Sequence, residues 1–326
     1  LEGNNTQRLD LFPTLSWQRP VHFGRFTAKA GVRETAYLVH GDPAEASRIP
    51  NDYNHRDAAM GSLRLDARLE RLFMGDEGDS YYSLRHTIEP TVKYIVNGAT
   101  DQSRLPLFDS RIRDFSTTNL FAENQYVGAD RINVGQSVAY GITTRLMGRR
   151  AKGEMQSEWA NISLGQRWAP EGEREFQNNL PFSDLVSSLD LHLSPTWSAT
   201  GALRYDPYKG VLRTSGTTVA LKNSRKDTIK LGYHIQRPDS GEMTKDALLR
   251  SEINLVSHWK WTQRADYSLE YDNLKSWESG LLYEHDCWSL KLRGGRKLRA
   301  DTNKHGGAWG GFLLTFRGIG EYGLDG

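Results

Sequence analysis

The side chains that perform chemistry are all present in this sequence, but their spacing does not assemble a catalytic centre. The nine histidines are scattered. None lies at the H-x-x-x-H or H-E-x-x-H spacing that would turn two imidazoles toward one metal ion. There is no G-x-S-x-G elbow and no phosphate-binding loop. Asp266, Glu270 and Asp272 fall on one side of an alternating run, but Arg264 shares that side, and four neighbouring charges of mixed sign read as a solvated face. The pairs Gly306–Gly307 and Gly310–Gly311 lack the strand-to-helix setting of nucleotide binding and read as strand glycines. Cys287 is the only cysteine, so the chain holds no internal disulfide framework. We therefore expect no catalytic, cofactor-binding or metal site, and not an enzyme.

The elements that carry these residues are strands. Leu84, His86, Ile88, Val92, Tyr94 and Val96 share one side of residues 82–96, with Arg85, Thr87, Glu89, Thr91 and Lys93 opposite. Val134, Val138, Tyr140, Ile142 and Leu146 repeat the pattern over residues 132–146. Ile229, Leu231, Tyr233 and Ile235 alternate with Lys230, Gly232, His234 and Gln236, and Ala265, Tyr267, Leu269 and Tyr271 alternate with Arg264, Asp266, Ser268, Glu270 and Asp272. A period of two over such lengths is a strand signal, and no long amphipathic helix is visible. The whole chain reads as about fifteen strands joined by turns, an ordinary number for part of an outer-membrane barrel. Pro90, inside a strand, predicts a bulge or an interruption of the ladder.

Composition narrows the class. The 326 residues hold 42 Lys+Arg and 40 Asp+Glu, a net charge of +2 that gives no case for nucleic acid. No apolar run approaches the length of a membrane-spanning helix, and mean hydropathy is −0.63. Neither fact excludes a transmembrane β-barrel, whose strands need only about 9–11 residues with apolar side chains at alternate positions. The alternation leaves two architectures open: a soluble sandwich with charge outside, or a membrane barrel with charge inside. Trp168, Trp197, Tyr205, Tyr208, Trp259, Trp261, Trp277 and Trp288 cluster near strand ends, as interfacial girdles do. Short connections near residues 193–197, 224–227, 258–261 and 285–287 fall on one side and longer ones at 41–56, 99–130, 169–183, 237–245 and 299–306 on the other, although 206–209 and 272–275 are short on the long side. Barrels of this class turn tightly in the periplasm and loop out on the cell surface, which places the 99–130 insert outside the cell.

The segments IEPTVKY, DQSRLPLFDS and NLFAENQYVGADRI, in that order and spacing, resemble the LptD family of outer-membrane LPS-assembly proteins. YEHDCWSLKLRGGRKL and the closing GGFLLTFRGIGEYGLDG extend the resemblance over nearly the whole chain, but only to the later part of the family's pattern. The resemblance implies an all-β fold, an antiparallel transmembrane outer-membrane β-barrel. Residues 1–326 would be its C-terminal portion, about 15 strands of a larger barrel. The N-terminal jellyroll and first barrel strands would be absent, so that missing residues or a partner must close the sheet.

It further implies LPS transport without covalent chemistry. The sugar passes a polar lumen and the lipid leaves through a lateral seam into the outer membrane of a Gram-negative bacterium; a passive porin-like channel is the alternative. Implied partners are an LptE-type lipoprotein plug, lipopolysaccharide, a periplasmic LPS-bridge protein reached through the missing N-terminal domain, the lipid bilayer and the barrel-assembly machinery. On this reading Arg264, Asp266, Glu270 and Asp272 face the lumen. Asp101, Gln102, Phe108, Asp109, Phe121, Asp130 and Arg131 belong to an extracellular loop held against the barrel. The strand 308–317, with Ala308, Gly310, Gly311, Phe312, Leu314 and Phe316, is the C-terminal edge at the seam. The family's adjacent cysteine pair would fall on Asp286 and Cys287, so Cys287 alone could form an interdomain disulfide.

Overall fold

The computed structural model describes residues 5–40, 53–76, 79–103, 105–170, 180–192, 194–238, 242–297, 307–318 and 320–325. Most of the 41–56 loop, the middle of 169–183, part of 237–245 and all of 299–306, Gly306 included, lie outside them. The described residues contain twenty strands and no helix, and eighteen of the strands form antiparallel ladders. The fold class is the expected one in being all-β and antiparallel. Two compact units divide the chain, the first at residues 1–154 and 162–187, the second at 155–161 and 188–326.

In the first unit, β1 (Asn5–Leu11) and β2 (Thr14–Val21) both pair with β3 (Gly24–His40). They are one strand broken at Phe12–Pro13, where proline has no N–H to give the ladder. β3 pairs with β4 (Tyr53–Ala67). β4 and β5 (Leu69–Met74) both pair with β6 (Ser83–Ala99), again as one strand interrupted, here at Arg68. Pro90 lies opposite that interruption: β4 pairs up to Thr91 and β5 resumes at Ile88. A break in a neighbouring strand is a setting that suits a strand proline, which has no N–H to give the ladder. β6 then pairs with β9 (Gly135–Arg149); next in the chain come β10 (Ser157–Trp168), of which residues 162–168 belong to this unit, and β11 (Leu185–Leu191), of which residues 185–187 do. Between β6 and β9 lies the insert, residues 100–134, with a ribbon of β7 (Arg111–Ile112) and β8 (Tyr126–Val127).

The second unit is a plain meander. It runs β12 (Trp197–Asp206), β13 (Val211–Lys222), β14 (Thr228–Gln236), β15 (Thr244–Asn254), β16 (Trp259–Ser268), β17 (Asn273–Glu284), β18 (Trp288–Lys297), β19 (Ala308–Phe316) and β20 (Gly320–Asp325). Each strand pairs with the next.

Two expectations are corrected here. β16 ends at Ser268, so the alternation read through Leu269, Glu270, Tyr271 and Asp272 continues by coincidence into a tight turn. Asp272 has φ 50°, and Ser268 Oγ accepts the Tyr271 amide. A charged residue in a turn matches a strand pattern because both are polar for the same reason, contact with water. Glu270 and Asp272 thus stand in the turn between β16 and β17, not on a strand face. The second correction concerns the end of the chain. β19 is not an edge: residues 320–325 form β20, which pairs with Gly311–Phe316, so Gly311, Phe312, Leu314 and Phe316 of the seam residues are covered on that side by described residues. Four of residues 320–325, Gly320, Glu321, Gly323 and Asp325, are of types depleted in strands, which hid the strand from a periodicity reading.

Candidate functional site

The faces of the first unit are sorted in the reverse of a soluble protein. On β3, β4, β6 and β9 the alternate residues Val32, Leu38, Leu63, Val92, Val96 and Ile142 are exposed, Leu63 by 48%. The opposite positions Thr35, Arg56, Ser62, Lys93, Asn97 and Ser137 are buried, Arg56 completely. A sandwich core would bury the first set and hydrate the second. Polar side chains buried in this number must have partners that satisfy them. The insert supplies those partners.

Asp130 is its anchor. Its carboxylate is wholly buried and accepts from Arg8 Nη1 at 2.7 Å, from the Tyr37 hydroxyl at 3.0 Å, and from the amides of Phe108 and Asp109 at 2.6 and 2.8 Å. Asp109 faces the same Arg8 at 2.7 Å and accepts the Ala129 amide. Burial alone would push the Asp109 carboxyl up, but the amide and the guanidinium outweigh it and hold the group well below the usual carboxylate range. Gly128, at φ 80°, sits against that carboxylate; a Cβ would collide with it, so the turn needs glycine. Arg56 donates to Thr35 Oγ1, to the Ala129 carbonyl and to Gln102 Oε1.

Gln102 acts as a detached piece of backbone. Its amide accepts from Ile132 N at 3.0 Å and donates to Ile132 O at 2.8 Å. Asn124 binds Arg131 O and Asn133 N in the same way. Arg131 donates to the carbonyls of Leu105, Pro106 and Asp130, rather than to the acidic partner its charge suggested. Asp101 caps its own turn through Ser103. Three motifs that lie apart in the chain, D-Q-S, L-F-A-E-N and A-D-R-I, are thereby joined in one hydrogen-bonded body.

A second anchor is Glu123. It takes Lys29 at 2.8 Å, Lys93 at 3.1 Å and Ser62 at 3.0 Å, each from a different strand. Burial raises the Glu123 carboxyl, and the lysines with Ser62 more than reverse it, so its pKa is lowered. Phe121 lies under the Arg64 guanidinium, 5.1 Å from the ring centre, while its carbonyl accepts Lys93. Arg167 reaches the Ala122 carbonyl. Phe115 and Leu120 form a small core with Ala139 and Val186. Phe108 offers mainly its amide; its ring is half exposed.

The expected loop residues are thus brought together. Arg8, Tyr37, Arg56, Glu123 and Arg167 were not anticipated. The only hint of the four on strands was their parity, and Glu123 in the insert had none, because every contact spans tens of residues. In the second unit Arg264 and Asp266 do share the polar face and pair at 3.3 Å, with Ser276 on Asp266. Cys287 is exposed in the turn between β17 and β18, next to Trp288 and His285. Among the described residues no cluster of histidine, cysteine and carboxylate could hold a metal ion.

Apolar faces turned outward and polar faces turned inward suit strands that cross lipid, and the profile of one family, described as LPS transport system D (LptD), matches residues 1–277. The chain belongs to the LptD family. Its location is accordingly the outer membrane of a Gram-negative bacterium. The LPS-assembly protein LptD of Nitrosococcus oceani is 26% identical over 98% of this chain and 42% of its own length. That of Chromobacterium violaceum is 25% identical over 99% of this chain and 40% of its own. The chain therefore spans less than half the length of these curated relatives. Among solved structures, the siderophore receptor PirA from Acinetobacter baumannii aligns over 99% of this chain and 58% of its own at a TM-score of 0.46 and 9% identity, too distant to inform the site.

Proposed function

We propose that this LptD-family chain is part of an outer-membrane translocon that assembles lipopolysaccharide in the outer leaflet. The sugar passes along the polar strand faces, and the lipid leaves sideways through a seam in the strand wall. The carrying observation is the inverted sorting of the strands, with a bonded insert on the polar face. A polar inner surface gives a saccharide a hydrated path, and an apolar outer surface keeps the strands in lipid. A passive pore would have no use for an insert clamped at Asp130 and Glu123 across its polar wall, so the porin-like alternative is less well supported.

The seam, in this reading, involves β20 rather than β19. Parting a strand pair in lipid leaves unpaired backbone groups that cost several kcal/mol each, so an exit route needs a short or weak ladder. β20 pairs over six residues and contains Gly320 and Gly323. The jellyroll, the opening strands, an LptE-type lipoprotein plug, the periplasmic LPS-bridge protein and the barrel-assembly machinery complete the proposal, as does a disulfide from Cys287 to the N-terminal domain. The test is depletion of the complete protein with LPS at the cell surface as readout. Restoration by the wild type is expected. A cysteine at Glu321 or Tyr322 joined to one on the opening strand should block LPS delivery until reduced; normal delivery through a fully joined seam would refute lateral exit.

A further inference from the structure

The polar face of the second unit carries a row of like charges that ladder energetics disfavour. Lys230 on β14 stands directly opposite Arg250 on β15, and Arg250 directly opposite Arg264 on β16. Facing positions of an antiparallel pair hold their Cβ atoms about 4.5–5.5 Å apart, where like charges repel. The acids nearby are already engaged: Glu252 by Lys260 at 3.6 Å, Glu278 by Lys291 at 3.8 Å, and Asp266 by Arg264 itself. Among the described residues neither Lys230 nor Arg250 has an ion pair, and both are exposed. The row lines a concavity of ≈ 510 Å³ together with Glu252, Glu278 and Arg293. A neighbouring hollow of ≈ 390 Å³ shares Arg264, Glu278 and Arg293 and is bordered by Trp309, whose ring lies 5.5 Å from the Arg293 guanidinium.

We propose that this concavity is a docking station for phosphate groups carried on a saccharide. Three cations in register, two without a counter-charge, match a phosphate dianion that would relieve their repulsion. Glu252 and Glu278 in its lining accept hydrogen bonds from hydroxyl groups beside their lysines, and the Trp309 ring at the neighbouring hollow offers apolar surface to a sugar ring. A purely anionic ligand would be repelled by those carboxylates, whereas a phosphorylated polyol uses both. The inference rests on the LPS reading above and deepens it: the station is where the phosphorylated part of the sugar chain pauses on the polar wall.

The experiment measures binding, apart from transport. Deacylated, phosphorylated LPS core oligosaccharide is titrated into the complete protein in detergent, beside the same oligosaccharide after phosphatase treatment and beside inorganic phosphate. We expect the phosphorylated probe to bind the wild type at least about tenfold more tightly than the treated one, a 1.4 kcal/mol difference. The combined variant Lys230→Gln, Arg250→Gln, Arg264→Gln should lose that preference, while Arg250→Lys, which keeps the charge, should retain most of it. Unaltered heat-modifiable mobility on a gel shows that each variant is folded. Equal binding of the two oligosaccharides, or an undiminished preference in the triple glutamine variant, overturns the proposal. Inorganic phosphate displacing the probe at equal concentration also overturns it, because the site would then read free phosphate rather than the saccharide. Capture of an acidic protein with no oligosaccharide preference would assign the row to a protein partner and overturn it likewise. A preserved phosphate preference alongside normal surface LPS after depletion would instead refute the translocon reading alone.

Discussion

Asp130→Ala tests whether the insert is held by the buried network or merely rests on the wall. In the wild type this carboxylate accepts Arg8, Tyr37 and the amides of Phe108 and Asp109. Arg8 keeps Asp109 at 2.7 Å after the change, so no charge is orphaned. The Tyr37 hydroxyl and the two amides lose their acceptor. Leaving the buried Tyr37 hydroxyl unsatisfied costs about 1–3 kcal/mol, and each bond lost from the partly exposed amides of Phe108 and Asp109 about 0.5–1.5, so moderate values for the three together give about 3 kcal/mol. The strand ladders do not involve this side chain, so the loss should fall on docking of the insert and not on the wall. A change of about 3 kcal/mol is roughly a hundredfold in the docking equilibrium. Hydrogen exchange in residues 102–133 should accelerate by about that factor, while β6 and β9 keep their protection and heat-modifiable mobility is unchanged. Acceleration below about fivefold, or equal acceleration in β6 and β9, would show that the network does not hold the insert as a separate body.

Acid should loosen the same body. The Asp109 and Glu123 carboxyls are both lowered in the folded state, so their stabilisation is present above the ordinary values of 3.8 and 4.5 and is lost as pH falls through the lower folded values; insert exchange measured from pH 6 downward should stay flat until about pH 4 and then rise. Gly165→Ala would put a methyl onto the Leu120 side chain and 2.8 Å from the Tyr140 carbonyl, costing about 1–3 kcal/mol; protease cleavage within residues 108–121 should appear in this variant and not in Gly98→Ala, where nothing lies within 4 Å. Leu231, 54% exposed on the apolar face of β14, should cost about 2–4 kcal/mol when changed to Arg, whereas Leu269→Arg, in the β16–β17 turn, should cost no more than about 1; urea unfolding from lipid vesicles compares them, and equal costs would place the two at one depth.

Period-two alternation was enough to determine that this chain is antiparallel β, because a strand with one wet and one dry face leaves that mark in any short window. Val92, Tyr94 and Val96 against Lys93 and Asn97 show it within a few residues. The quoted insert motifs were likewise sufficient to point to the LptD family. The sequence could not say which face was inside, since a sandwich and a membrane barrel write the same alternation; burial of Arg56, Lys93 and Asn97 beneath the insert decided it. Nor could local pattern separate a polar turn from a polar strand face at Glu270 and Asp272, or show the glycine-containing β20, whose only support is its ladder with β19. The partners of Asp130 lie 122 residues away at Arg8 and 93 away at Tyr37. Contacts of that separation leave no periodicity, because they arise only when the strands have paired and brought one polar face beneath the insert.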